Sequence, residues 1–494
     1  MTIRLETNEP ALFGELADVI RIFYPTSVKA DEGDFCIRHE GGIQEDRWQD
    51  RFYALGFEHT YLAPRRAVGE LAIKRERKRA AKTGLFLLLR TISGQSPAWG
   101  SLTGIRPTRL LYERLEAGDT PAAAALYLRE KFFVSEEKAG LLKEIERMQR
   151  GLRTVPPGQF DLYIGIPFCP TRCAYCSFSS GELGDGKLME PYLAALAQEI
   201  RACGAMMREM GLSVRAAYMG GGTPTSLTAA QLARVLDEAQ AAFPGAREWT
   251  VEAGRPDSIT MEKLRAIRER GVERVCVNPQ TFSDETLRRI GRAHTAQDTL
   301  RAFALAREAR FAHINMDVIA ALPGEDLPQF RATIEQVLAL DPESVTVHSL
   351  AIKRSSRLHE ELVTEKSNYA PPESAAEMIR FARESLRERG YFPYYLYRQK
   401  NTIGSLDNTG YALSGKEGFY NVFIMDETHT IFAAGAGAVT KLRAPRGDTI
   451  ERIYNYKFPS EYLANYAALK ERKERVKRFY ETHQQTEKLH YSDV

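Results

Sequence analysis

The chain has 494 residues, with 44% hydrophobic and 27% charged side chains. That length calls for two or three domains, and the composition is that of an ordinary globular protein. Sixty-eight basic against sixty-five acidic residues leave a net charge of +3, too little to name a charged partner. No apolar run is long enough to span a bilayer, and the first residues, MTIRLETNEPALFGEL, lack a signal-peptide layout, so a cytoplasmic protein is expected.

Residues 1–155 read as an N-terminal α+β accessory module. FCIRHE, RFYALGF and TYLAP suggest short strands, and a basic run over 65–82 follows. The loop WGSLTGIRPT then leads into helical sequence reaching Gln149. PPG at 156–158 marks a linker. Over 160–390, DLYIGI, RAAYMG, EWTVEA, ERVCVN, AHINMDVIA and ESVTVHSL read as strands. They alternate with helical stretches at 187–210, 228–242, 260–270, 283–290, 298–310 and 327–339. Strands alternating with helices predict an α/β domain with a parallel sheet, and its chemistry belongs at the C-terminal strand ends. Residues 391–494 read as an α+β extension: FPYYLYRQ, GFYNVFIM and HTIFAAG as strands, then a charged helix from Ser460.

Six cysteines in so long a chain are no disulfide framework. Cys36, Cys203 and Cys276 are scattered and read as small buried hydrophobes. Cys169, Cys173 and Cys176 instead crowd one loop, in YIGIPFCPTRCAYCSFSS, with CxxxCxxC spacing after the first strand of the array. Three thiolates on a short loop suit three corners of a cubic [4Fe–4S] cluster and leave the fourth iron open. Zinc is the alternative, but structural zinc takes four ligands in pairs such as CxxC. No second pair exists here, and the nearest downstream histidine is His294.

YMGGGTPTSL follows the second strand, and its glycines permit close backbone approach to a ligand. Glu252, Gln280, Arg292 and Asp317 stand at or near later strand ends. Singly each is an ordinary polar residue. As a set they supply acceptors for ribose hydroxyls and an ammonium group, and a cation for a carboxylate, which are the needs of S-adenosylmethionine (SAM).

The order YIGIPFC–CxxxCxxC, GGGTP, VEA, NPQTF, GRAH and MDVIAALPG resembles the radical SAM family around oxygen-independent coproporphyrinogen III oxidase. WGSLTGIRPTRL, LAIKRSSRL, YYLYRQKN and IERIYNYKFPSEY extend the resemblance, to a HemZ-type branch, over most of the chain. The resemblance implies a partial (β/α)6 barrel with N- and C-terminal additions. It implies a [4Fe–4S] cluster on Cys169, Cys173 and Cys176. It places Tyr163, Tyr175, Phe178, Gly221, Gly222, Thr223, Glu252, Gln280, Arg292 and Asp317 in the cofactor-binding set with SAM. The implied reaction turns two propionates of coproporphyrinogen III into vinyl groups with release of carbon dioxide, fed by an electron donor such as flavodoxin or ferredoxin. Two departures stand out. The oxidase proper carries a cysteine where Phe178 stands, and its nearest relatives read YxHIPFC where this chain has Gly165.

Three tetrapyrrole functions are compatible with these motifs: the oxidase reaction, haem delivery by a chaperone, and haem methylation with ring opening. The oxidase reaction is favoured because the resemblance extends outside the barrel. A tetra-anionic substrate would suit the basic run at 65–82, although such runs are more often solvated helix faces. His294, His348 and His359 are the histidines a haem chaperone would offer. No aromatic-interleaved reader motif supports nucleic-acid binding.

Overall fold

The computed structural model describes residues 2–24, 27–104, 106–156, 158–176, 181–353, 356–358, 360, 371–399, 402, 404, 406–444 and 449–491. The chain packs into two units, Met1–Arg147 with Tyr397–Ser405, and Met148–Leu396 with Leu406–Val494.

The first unit contains β1 (Thr2–Thr7), α1 (Phe13–Phe23), β2 (Ser27–Lys29), β3 (Phe35–Gln44), β4 (Arg47–Ala54), β5 (Phe57–Pro64) and α2 (Glu70–Ser93). Helices α3 (Pro107–Glu116), α4 (Pro121–Phe132) and α5 (Glu136–Gln149) follow. The sheet order is β2-β1-β3-β4-β5. Helix α1 repeats apolar residues at helical spacing, and Leu16, Val19, Ile20 and Phe23 bury with Leu85, Phe86 and Leu89 of α2 against Ile3, Leu5, Ile37 and Phe52.

Much of the basic run lies on α2, and several of its charges are satisfied within the unit. Arg77 is 7% exposed and donates to Asp50 at 2.6 and 2.8 Å and to Glu9. Lys78 and Lys82 pair with Glu15, and Arg79 with Glu113. Arg77 is thus committed to the core of this unit, while Lys74, Lys78 and Arg79 keep exposed side chains beside their acidic partners. Arg77→Ala would strip Asp50, which has no exposed surface, of its guanidinium partner and leave it the His39 ring nitrogen at 2.8 Å. The expected cost is about 3–5 kcal/mol, read by urea unfolding.

The second unit is built on an 11-stranded sheet. Its centre comprises β6 (Gln159–Ile166), β9 (Ser213–Gly221), β10 (Glu248–Glu252), β11 (Arg274–Cys276), β12 (His313–Ala320) and β13 (Ser344–Ser349). These six pair in chain order, all parallel. Short β7 (Phe168–Cys169) and β8 (Gly181–Glu182) pair with each other in the loop after β6. The intervening helices are α6 (Met189–Glu209), α7 (Ala229–Ala242), α8 (Met261–Arg268), α9 (Asp284–Arg289), α10 (Ala296–Glu308) and α11 (Leu327–Leu340). Each strand and helix expected over 160–340 is present, in the partial (β/α)6 arrangement.

Register sorts the side chains into two faces, because neighbours across a ladder point the same way. Tyr163 pairs with Tyr218, Glu252 with Cys276, Cys276 with Asn315, and Asp317 with Thr346. This face is polar and aromatic. The alternate residues Ile164, Met219, Val251, Val275, Met316 and Val345 are fully buried and apolar.

After residue 370 come α12 (Pro372–Glu388), β14 (Tyr391–Arg398), β15 (Asp407–Leu413), α13 (Phe419–Asp426), β16 (Ile431–Ala434), β17 (Val439–Arg443), β18 (Ile450–Tyr454), α14 (Pro459–Ala464) and α15 (Tyr466–Tyr491). Their strands join the same sheet. β15 runs antiparallel beside β13, and β16 runs parallel beside β6.

One expected strand is corrected. GFYNVFIM contains helix α13, whose first backbone N–H groups, on Phe419 and Tyr420, donate to the Glu248 carboxylate at 3.0 and 3.1 Å. Arg215 lies over the rings of Phe419 and Phe423. A short apolar run gives no periodicity to separate a buried helix from a buried strand. No helix among the described residues is long and apolar enough to cross a membrane.

Candidate functional site

The loop after β6 carries the three cysteines, and the GGGTP segment after β9 is bonded directly to it. Gly222 N–H donates to Ile166 O at 2.8 Å, and Thr223 N–H to Phe168 O at 2.7 Å. Gly221 has φ of +110°, a conformation that favours glycine. Thr223 is 3% exposed, and its hydroxyl donates to Cys169 Sγ at 3.5 Å. The cysteine loop is tied further at Ala174, whose N–H donates to Ile290 O.

Cys169, Cys173 and Cys176 form no disulfide and are half-buried. Among the described residues no three His, Cys, Asp or Glu side chains gather into a preassembled metal site, these cysteines included. Their fit to an iron–sulfur cluster rests on donor chemistry: three thiols within eight residues, two of which already accept hydrogen bonds at sulfur. Phe178 lies outside the described residues, as does His359.

The remaining expected residues surround this loop or line the polar face of the sheet. Arg292 is 8% exposed and donates through Nη1 to Gly254 O and Asn278 O, and through Nη2 to the Tyr175 hydroxyl at 3.0 Å. Burial pushes the Tyr175 phenol up, with Arg292 opposing, and burial beside Glu252 pushes Tyr163 up, so both are neutral at pH 7. Gln280 has φ of +67° and is held there by two backbone bonds with β12: its N–H donates to Asp317 O and its carbonyl accepts from Ile319 N–H. Such strain in a non-glycine residue persists only where surrounding structure enforces it.

The two carboxylates differ. Burial, and the nearby Asp317, push Glu252 up to about 8. Burial also pushes Asp317 up, but His348, Asn315 and Thr346 outweigh it and hold that carboxyl below its usual value. Asn315 donates to Asp317 at 2.8 Å, and His348 Nε2 stands 3.6 Å away. Burial and Arg292 push His294 down to about 4.

Among the described residues Gln280 Oε1 and Arg292 Nε have no hydrogen-bond partner, and the His294 ring is held only loosely, with Asp257 3.9 Å from Nδ1 and the Pro279 backbone beside it. Buried polar atoms are normally satisfied, so the first two are what a polar ligand or ordered water would relieve. Arg255, Asn278 and Tyr218 also belong to the site, although no motif singled them out. Cys276 is buried as expected, yet it lies on the polar face with Tyr218 OH 4.0 Å from its sulfur. Tyr420 of α13 stacks on Tyr218 at 4.8 Å and on Tyr163 at 6.4 Å.

The structure explains Gly165. A β-carbon there would lie 3.2 Å from Ala436 O and 3.5 Å from Ala434 O, because β16 and its following turn pack against β6. Gly165→His is expected to cost about 1–3 kcal/mol by overpacking, read as a lowered Tm.

A model of the radical SAM superfamily matches residues 163–337. The chain is 40% identical over 386 residues to the oxygen-independent coproporphyrinogen-III oxidase-like protein HemZ of Bacillus subtilis, covering 76% of each chain. It is 31% identical over 278 residues to the heme chaperone HemW of the same organism, covering 56% of this chain and 69% of that one. Its fold is similar to that of the coproporphyrinogen III oxidase HemN of Escherichia coli, described as a radical SAM enzyme. The TM-score is 0.52 at 22% identity, over 68% of this chain and 74% of that one.

Proposed function

The chain belongs to the radical SAM family of oxygen-independent coproporphyrinogen III oxidase-like proteins, and we propose from that membership that it oxidatively decarboxylates the propionates of coproporphyrinogen III to give protoporphyrinogen IX. The superfamily uses a [4Fe–4S] cluster and SAM. Cys169, Cys173 and Cys176 would hold the cluster and leave one iron open to SAM. Bound together, the two groups would supply one-electron cleavage of a C–S bond and hydrogen abstraction from a propionate β-carbon, with the electron arriving from a flavodoxin or ferredoxin and the electron released with carbon dioxide passing to a one-electron acceptor.

The chain's own residues bind and orient. Arg292, fixed by two backbone carbonyls, presents a buried cation for the SAM carboxylate. Glu252 and Asp317 offer acceptors for ribose hydroxyls and the ammonium group, and Gln280 offers its unpartnered carbonyl. Gly221 and Gly222 keep side chains away from the methionine end, beside Thr223. Tyr163 stands on the polar face below, with the apolar Tyr218 and Tyr420 rings beside it.

The observation that carries this reading is the 40% identity to the oxidase-like HemZ over 76% of each chain, and the unpartnered buried atoms of Gln280 and Arg292 support a polar ligand such as SAM beside it. Anaerobic reconstitution with a reductant and SAM tests it, comparing 5′-deoxyadenosine release with and without coproporphyrinogen III. Substrate-stimulated release with protoporphyrinogen IX formed is the expected result. Release that ignores the substrate and gives no decarboxylated product would contradict it. Haem delivery is the second reading, favoured by the similarity to HemW; it predicts stable haem binding in place of turnover.

A further inference from the structure

The segment VEAGRPDS, just beyond the end of β10, places one cation against the cysteine loop. Arg255 is 3% exposed. Its Nε and Nη2 donate to the two carboxylate oxygens of Asp257 at 2.9 and 2.8 Å. This bidentate fork uses one edge of the guanidinium and fixes its plane. The remaining nitrogen, Nη1, faces the cysteine loop. It donates to Thr171 O at 3.1 Å, to Thr171 Oγ1 at 3.0 Å and to Cys173 Sγ at 3.8 Å. Asp257 is 20% exposed, so the anion of the pair sits on the wetter side and the cation on the side of the sulfur.

We propose that Arg255 is a positioning residue that acts on the cluster through Cys173, fixing the cysteine loop and raising the cluster's reduction potential. The proposal rests on the cluster assignment made above. Hydrogen bonds to ligand sulfur, and the net charge around a cluster, are two of the terms that set its potential. Reduction adds one electron, taking [4Fe–4S]2+ to [4Fe–4S]1+, so a buried cation at the thiolate stabilises the reduced form more than the oxidised form. The Thr223 hydroxyl on Cys169 is neutral and contributes no charge of its own. Arg255 and Asp257 therefore act in opposite senses: losing the arginine favours the oxidised cluster, and neutralising the aspartate favours the reduced one. A scaffolding role alone would not reverse sign between the two partners of one ion pair.

The test is the midpoint potential of the reconstituted cluster without SAM, followed by EPR, in the wild-type chain, Arg255→Gln and Asp257→Asn. Arg255→Gln is expected to shift the equilibrium about tenfold toward the oxidised cluster, about 59 mV for one electron. Asp257→Asn is expected to shift it toward the reduced cluster. Unmoved potentials in both, or shifts in the same direction, overturn the proposal. Should Arg255→Gln fail to fold or to retain iron, Asp257→Asn decides alone: a raised potential supports the proposal, and an unchanged or lowered one overturns it. A wild-type chain that takes up no iron and sulfide overturns the cluster assignment and this proposal together. A wild-type cluster whose potential neither variant moves as expected removes only the role of Arg255.

Discussion

Gly222→Ala is expected to lower the rate of 5′-deoxyadenosine release by about a hundredfold, the scale of a misplacement of about 1 Å near a reacting centre. An added β-carbon would stand 2.5 Å from Phe168 O, 2.8 Å from Phe168 N and 2.9 Å from Ile166 O. All three are backbone atoms of the strand and loop that deliver Cys169, so no side chain can rotate to make room. The same carbonyl of Phe168 accepts from Thr223 N–H and from the Ser226 hydroxyl, so moving it disturbs the cysteine side and the SAM side together. A fall in folding stability of about 1–3 kcal/mol should accompany the lost activity. Gly140→Ala, where nothing lies within 4 Å, is the control, and it should leave both quantities unimpaired. A Gly222→Ala protein with unchanged Tm and unchanged release would show that the two segments are not packed as described.

The second large effect is on pH dependence. The Glu252 carboxyl sits at about 8 in the folded chain against an ordinary value of 4.5, because burial and Asp317 disfavour its charge. Between those values the folded chain keeps a proton that the unfolded chain has released. This term therefore stabilises the SAM-free protein fully below about pH 4.5 and is lost as pH rises toward 8. The slope is at most about 1.4 kcal/mol per pH unit. Glu252→Gln keeps the shape and removes the titration. The variant should unfold at higher urea concentration than wild type at pH 8, with the gap closing toward pH 5. SAM should behave oppositely. A ribose acceptor works best as the carboxylate, so wild-type SAM affinity should rise from pH 6 to 8 with proton release, and the variant should bind weakly at every pH. Parallel stability slopes in the two proteins would remove Glu252 from this role.

How far the sequence reached can be argued from these same residues. The six central strands were readable because each is a short apolar run ended by glycine, proline or a polar residue, followed by a helix of 3.6-residue periodicity. Several helix starts carry their own signal: Thr228 with Gln231, and Asp326 with Gln329, form capping boxes. Helix α13 was not readable, since its decisive contact is the carboxylate of Glu248, 171 residues earlier. Nor was the placement of the last strands on both sides of the sheet, because pairing partners are chosen by tertiary packing. Among site residues, the cysteines and glycines announce themselves by spacing. Arg255 stands three residues beyond Glu252 and looked like any loop arginine; its meaning comes from Asp257 and from Cys173, 82 residues away. The basic run shows the converse. It read as a solvated helix face that an anion would suit, and the pairing of Arg77 with Glu9 and Asp50 and of Lys78 with Glu15 was not readable from it.

The central claim is that Cys169, Cys173 and Cys176 hold a cluster with one iron open to SAM. Its most direct test is the EPR spectrum of the reconstituted, reduced chain before and after SAM is added. The account predicts a reduced [4Fe–4S] signal whose shape changes on adding SAM and which is absent when Cys173 is replaced by serine. A signal indifferent to SAM, or a chain that binds zinc at this loop and gives no iron–sulfur signal, would contradict it.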